Sequence, residues 1–178
     1  ASCFGGLVWY RKEAPELKII QPIPFFLSKK IASNFSVIHT GTPHESTGEM
    51  VGMVRALYKK NPKLVDSILF AQEKLTRELL SAMKNEKEQE LIRIIKEGER
   101  NLENLGVVSN SAKLLIRAIE KIGGAAKICG AGGITKGSGM VLAYYPDKKS
   151  VGKLAVSNNF LHINLSLGAE GLRKEKDE

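Results

Sequence analysis

The chain has 178 residues, of which 43% are hydrophobic and 26% charged, and a formal net charge of +8. That is enough chain to bury a core, with an ordinary globular balance, and no apolar run reaches the roughly 18 residues needed to cross a membrane. The two cysteines, Cys3 and Cys129, form no CxxC, and His39, His44 and His162 form neither HxxxH nor HExxH; a metal site built from side chains alone is not expected, and two free thiols suit a reducing cytoplasm.

The opening "ASCFGGLVWYRK" has no basic segment ahead of its apolar stretch and does not read as a signal peptide. It starts inside a strand-like run and reads as the continuation of something longer. Residues 4–12 and 17–23 are predicted strands around the turn chemistry of "EAPE". The two prolines of "QPIPFF" make the next stretch extended or irregular, and "FSVIHT" (35–40) is a further short strand. The loop "GTPHEST" leads into a helix to about Lys60, with Glu49 three residues after Ser46 as a capping box requires.

A helix over 62–84 follows, with Leu64, Ile68, Gln72, Leu75, Leu79 and Met83 at spacings of three and four and Pro62 in its first turn. A second runs from about Glu86 to Leu105 with Leu91, Ile94, Ile95, Gly98, Leu102 and Leu105 on one side, and a third covers about 110–122. Then come a strand (125–129), a glycine-rich loop, a strand (139–145), a short helix to about 157, a strand (159–166) and a charged, solvated tail. The fold class this implies is α+β: an antiparallel sheet covered on one face by helices.

The loop "GAGGITKGSG" (130–139) carries Gly130, Gly132, Gly133, Gly137 and Gly139. Glycine in regular structure costs roughly 0.5–1 kcal/mol relative to alanine, so this backbone needs unusual angles or close approach to a partner. It is not a Walker A loop, because Ser138-Gly139 stands where Lys-Ser/Thr is required, nor a GxGxxG loop, because Thr135 occupies the last glycine's place. The next segment reads as a strand, so no helix N-terminus is on offer. What remains is either a mobile exposed hairpin or a nest of backbone N–H groups for an anion, with Lys127, Thr135, Lys136 and Ser138 as further donors. The net positive charge suits an acidic partner, but the basic residues occur in short dispersed pairs, so a dedicated nucleic-acid surface is not expected.

"NLENLGVVSNSAKLLIRAIEKIGGAAKICGAGG" (101–133) resembles the C-terminal half of mevalonate kinases, in the GHMP kinase superfamily. "HTGTPHESTGEMVGMVR" (39–55) resembles that family's segment after the central strand, and "ASCFGGLVWYR" the stretch that follows its catalytic aspartate. The resemblance runs in order from Ala1 to about Asp147. It implies a C-terminal domain of ferredoxin-like outline. Residues 1–40 would then end the N-terminal kinase domain with its connecting strands, residues 41–170 would form the C-terminal domain, and 171–178 the tail.

The implied activity of the complete enzyme is transfer of a phosphoryl group from ATP to the hydroxyl of mevalonate, with Mg²⁺, in the cytoplasm. The implied partners are ATP, mevalonate and the missing N-terminal domain. A homodimer is left open, and neither nucleic acid nor membrane is expected. Gly130, Ala131, Gly132 and Gly133 match the family's third motif, beside the nucleotide phosphates, and Thr40 matches a threonine lining the acceptor pocket. No catalytic residue and no metal ligand is expected in this chain, since the aspartate base would lie upstream of Ala1, and "ITKGSG" departs from the family pattern. Phosphomevalonate kinase is the near alternative, with Arg55 and Lys59-Lys60 for the extra phosphate. A stand-alone α+β binding module is the distant one. The 178 residues alone are expected to be inactive, and Gly132→Val to harm turnover more than stability.

Overall fold

The computed structural model describes residues 4–14, 16–165, 167 and 171. Two strands, β1 (Val8–Lys12) and β2 (Lys18–Pro22), form a separate antiparallel hairpin. The short helix α1 (Lys29–Ala32) precedes β3 (Phe35–His39), and the helices α2 (Thr47–Lys60), α3 (Pro62–Lys84), α4 (Glu88–Asn104) and α5 (Asn110–Lys121) follow. β4 (Ala125–Ile128), β5 (Met140–Tyr144), α6 (Lys148–Ser157) and β6 (Leu161–Asn164) complete the order. The second sheet has four antiparallel strands in the order β4-β5-β3-β6.

The helix boundaries follow from local chemistry. At α2 the Ser46 hydroxyl accepts the Glu49 N–H at 3.3 Å, and the Glu49 carboxylate accepts the Ser46 N–H at 2.7 Å, closing the expected capping box. Asn61 caps α3 ahead of Pro62, Ser109 caps α5, and the Asp147 carboxylate accepts two N–H groups at the start of α6. α4 lacks a side-chain cap, but Glu88 and Glu90 stand in its first turn, where the helix dipole favours negative charge.

One face of the sheet presents Ala126, Ile128, Val141, Ala143 and Ile38 to Ala112, Leu115, Ile116 and Ile119 of α5 and to Val151 and Ala155 of α6. The helix-covered face therefore has the arrangement that the periodicity implied. α4 instead follows the β4 edge. Its Leu91 and Ile95 pack with Ile31 against Phe35, Ala125 and Tyr144 on the opposite face, and Phe35 meets Tyr144 edge to face at 4.8 Å. Farther along that face Met140, Leu161 and Ile163 are exposed.

Two differences from the sequence reading are structural. β3, assigned by sequence to the leading segment 1–40, is an interior strand bonded to β5 on one side and β6 on the other. The boundary at residue 40 would therefore cut through the sheet, because Phe35 and Ile38 are fully buried parts of its core. α1, four residues capped by Ser28, is too short to show a helical period in sequence. Cys3 and the tail from residue 172 on lie outside the described residues.

Candidate functional site around the glycine loop

The loop from Cys129 to Gly139 joins β4 to β5 and lies against two other loops. Thr40 is buried, and its hydroxyl donates to the Gly139 carbonyl at 2.9 Å and accepts the Ser138 N–H at 3.2 Å. The Ser138 hydroxyl accepts the Ser109 N–H at 2.8 Å and lies 3.0 Å from both the Gly133 carbonyl and the Ser109 hydroxyl. The Gly133 N–H donates to the Val107 carbonyl at 3.1 Å, and the Ser111 hydroxyl to the Lys136 carbonyl at 3.0 Å. Segments from the ends of β3 and α4 thus fasten the loop at its base.

At its tip, the Glu45 carboxylate accepts the Ile134 N–H at 3.2 Å, the Thr135 N–H at 3.0 Å and the Thr135 hydroxyl. These bonds, chiefly that from the Thr135 hydroxyl, hold the Glu45 carboxyl below the ordinary carboxylate range.

The glycines divide into two groups. A Cβ on Gly132 would stand 2.0 Å from the Val107 carbonyl oxygen, one on Gly133 2.5 Å from the Gly137 oxygen, and one on Gly137 2.3 Å from the Thr40 oxygen. These three allow the chain to approach itself. Gly130 has open space where a Cβ would be. Its φ of 77° and the 80° of Gly132 flank Ala131, and the N–H groups of Gly130, Ala131 and Gly132 meet no protein acceptor among the described residues. Of the further donors the sequence suggested, Lys127 donates to the Ile128 carbonyl, Thr135 is bound to Glu45 and Ser138 is buried in the loop's base. Lys136 is exposed and its side chain has no hydrogen-bond partner among the described residues.

A cleft of about 350 Å³ opens beside the loop, lined by Cys129, Ala131, Gly132, Ser138 and Gly139 on one side and by Thr42, Pro43, Glu45, Ser46 and Thr47 on the other. Cys129 is a free, exposed thiol at its rim. Arg55, Lys59 and Lys60 project from the later turns of α2. The two lysines are roughly 20 Å from the helix start that borders the cleft, at 1.5 Å per residue. Another cleft, of about 390 Å³, lies between the hairpin and α3, where Arg77 stacks on Trp9 at 5.8 Å. No group of three or more His, Cys, Asp or Glu side chains that could hold a metal occurs among the described residues.

A mevalonate kinase of Thermococcus sibiricus is 30% identical over 98% of this chain and 50% of its own length. A mevalonate kinase of Archaeoglobus fulgidus is 31% identical over 87% of the chain and 47% of its own length. The chain belongs to the GHMP kinase superfamily. It spans about half the length of these curated relatives. No protein-family profile matches it.

Among solved structures, the GHMP fold of this chain superposes on the Listeria innocua Lin0012 protein with a TM-score of 0.69, at 26% identity, over 82% of this chain and 41% of that one. It superposes equally well, with a TM-score of 0.69, on L. major mevalonate kinase in complex with R-mevalonate, at 16% identity over 92% of this chain and 51% of that one. Streptococcus pneumoniae phosphomevalonate kinase, in complex with phosphomevalonate and AMPPNP, gives 0.63 at 16% identity, over 86% and 44%. Of the four predicted loop residues, Ala131 and Gly132 line the cleft and Gly130 and Gly133 flank them outside its lining, while the Thr40 hydroxyl turns into the loop instead of the cleft. Sequence reasoning missed Glu45, Ser109 and Ser138 as loop-holding residues. Ser109 carried a signal as a capping serine after "LGVV"; Glu45 and Thr135 are 90 residues apart and carried none.

Proposed function

We propose that this chain forms one wall of the active-site cleft of an ATP-dependent kinase that phosphorylates the hydroxyl of mevalonate. The observation that carries the reading is the run of free N–H groups at Gly130, Ala131 and Gly132, with positive φ on both sides of Ala131, at the edge of a cleft. Such a run suits phosphate oxygens, because peptide dipoles fixed in place stabilise negative charge without reorganising. Bound ATP would supply the phosphoryl group. Gly130, Ala131 and Gly132 would donate to its phosphate oxygens. Thr40, Ser138 and Ser109 would hold those donors at a fixed height, and Gly133 would let the loop close on Pro43.

The described residues beside the cleft do not fit Mg²⁺: Glu45 is bonded to the loop tip, Glu49 to its own helix cap, and no third carboxylate joins them. The catalytic base is expected from another part of the protein. Mevalonate is favoured over phosphomevalonate because none of the three candidate cations, Arg55, Lys59 and Lys60, lines the cleft.

The test is phosphorylation of mevalonate and of phosphomevalonate by the protein that carries this chain, beside the 178 residues alone. The expected result is ATP-dependent turnover of mevalonate by the former and none by the latter. Turnover by the isolated chain, or preference for phosphomevalonate, would overturn the corresponding part of the reading.

A further inference from the structure

Glu99 lies on α4 between the apolar neighbours Ile95 and Leu102, and it is fully buried. Its Oε2 accepts the Ile128 N–H at 2.9 Å, and its Oε1 has no hydrogen-bond partner among the described residues. A buried carboxyl oxygen without a partner is expensive, far more so when ionised. The other polar group of Ile128 is also held by an ionisable side chain, for the Lys127 ammonium donates to the Ile128 carbonyl at 2.8 Å. Ile128 ends β4, and the loop begins with the next residue. Its side chain supports the loop directly: a Cβ on Gly132 would come within 3.0 Å of the Ile128 Cδ1. Two ionisable groups therefore grip the single residue from which the glycine loop departs.

We infer that Glu99 is a proton-linked positioning residue for the glycine loop: its neutral carboxyl leaves Lys127 on the Ile128 carbonyl, and its ionised form, which grips the Ile128 N–H more strongly, draws Lys127 off that carbonyl. The physical route is competition. An ionised Glu99 attracts the Lys127 ammonium, which then leaves the Ile128 carbonyl and frees the peptide that leads into Cys129. Burial pushes the Glu99 carboxyl up to about 7, with Glu103 adding to the rise and the Ile128 N–H, Lys127 and Arg100 opposing it. The charges around it are otherwise paired with one another. On α4, Arg100 binds Glu103, and from α5 Glu120 binds Arg100 while Arg117 binds Glu103. β4 contributes Lys127, and α3 presents the neutral Gln72 beside Gly98. None of these is free to neutralise Glu99 except Lys127.

The inference rests on the phosphate-binding reading for its consequence but not for its structural part. The experiment follows the backbone amide signals of Ile128, Gly130 and Gly132 and the labelled carboxyl carbon of Glu99 by NMR from pH 5 to 9, without ligand, and then measures ATP affinity over the same range. The expected result is a common midpoint near 7 for carboxyl and amides, a loop response that disappears in Glu99→Gln, and a Glu99 titration without loop response in Lys127→Met. ATP affinity should fall by about tenfold from pH 6 to 8, as the neutral fraction of such an acid falls, and this slope should be absent in Glu99→Gln. A carboxyl that does not titrate in this range, or one that titrates while the loop amides stay flat, would overturn the inference, and both are read on the unmutated protein. Loop amides that titrate in a protein that binds no ATP at any pH would support the positioning role and overturn the phosphate-binding reading instead.

Discussion

The α3–α4 pair and the glycine loop are built on opposite principles. The helices meet through an apolar seam of Leu75, Ala82 and Ile94, bordered by exposed ion pairs of Arg93 with Glu78, Glu90 and Glu97. Each contact there is a side chain that can be replaced by another of similar size. The loop is held by main chain against main chain, with serine and threonine hydroxyls between. Gly132 lies under the Val107 carbonyl with no room for one methyl group. The helical region distributes its stability over many side chains, whereas the loop concentrates it in the absence of them.

The sharpest way to break this contrast is Gly132→Ala. The new methyl would meet the Val107 carbonyl oxygen at 2.0 Å, on a backbone with φ of 80°. Overpacking and left-handed strain together should cost about 4 kcal/mol in chemical denaturation. This reverses the sequence-based expectation for Gly132→Val, in which turnover suffered more than stability, because the glycine is needed first by the protein's own backbone. A loss below about 1 kcal/mol would mean that the loop can lift off Val107 at little cost.

Glu99 comes next. A carboxyl titrating near 7 in the folded state and near 4.5 when unfolded keeps its proton in the fold while the unfolded chain has lost it. Folding stability should be unaffected below pH 4.5, decline as pH rises from there to about 7, and level off above. The total decline is up to about 3 kcal/mol. Thermal unfolding across pH 4 to 8 should show this slope in the native protein and lose it in Glu99→Gln.

Thr40→Val leaves the buried Ser138 N–H without its acceptor and removes the bond to the Gly139 carbonyl. It should cost about 2 kcal/mol and weaken ATP binding through the loop, a combination readable by denaturation and calorimetry. The smallest effect belongs to Arg93→Ala. Glu90 and Glu97 are solvent-exposed and Glu78 half-buried, so even this network should contribute no more than about 1 kcal/mol and less in high salt. A larger loss than for Thr40→Val would invert the comparison.

Local rules made much of the fold legible in sequence. Ser46 with Glu49, and Pro62 in a first turn, announced the starts of α2 and α3, because helix starts are settled within four residues. The apolar stretches on either side of the glycine loop marked β4 and β5. Glu99 was also visible in principle, as a carboxylate between Ile95 and Leu102 on an apolar stripe. What it faces was not, since the Ile128 N–H is 29 residues away.

The sequence by itself determined where helices begin, which of their faces are apolar, and that Gly130–Gly139 must do something side chains prevent, because these follow from backbone sterics and spacing along one segment. It also carried the family resemblance. Only the tertiary structure decided that β3 lies between β5 and β6, that Glu45 reaches the loop tip, that Thr40 turns into the loop, and which glycines serve the fold and which leave N–H groups free. Those facts depend on distances between segments up to 99 residues apart, and no local energy sets such distances until the sheet and its helices have packed.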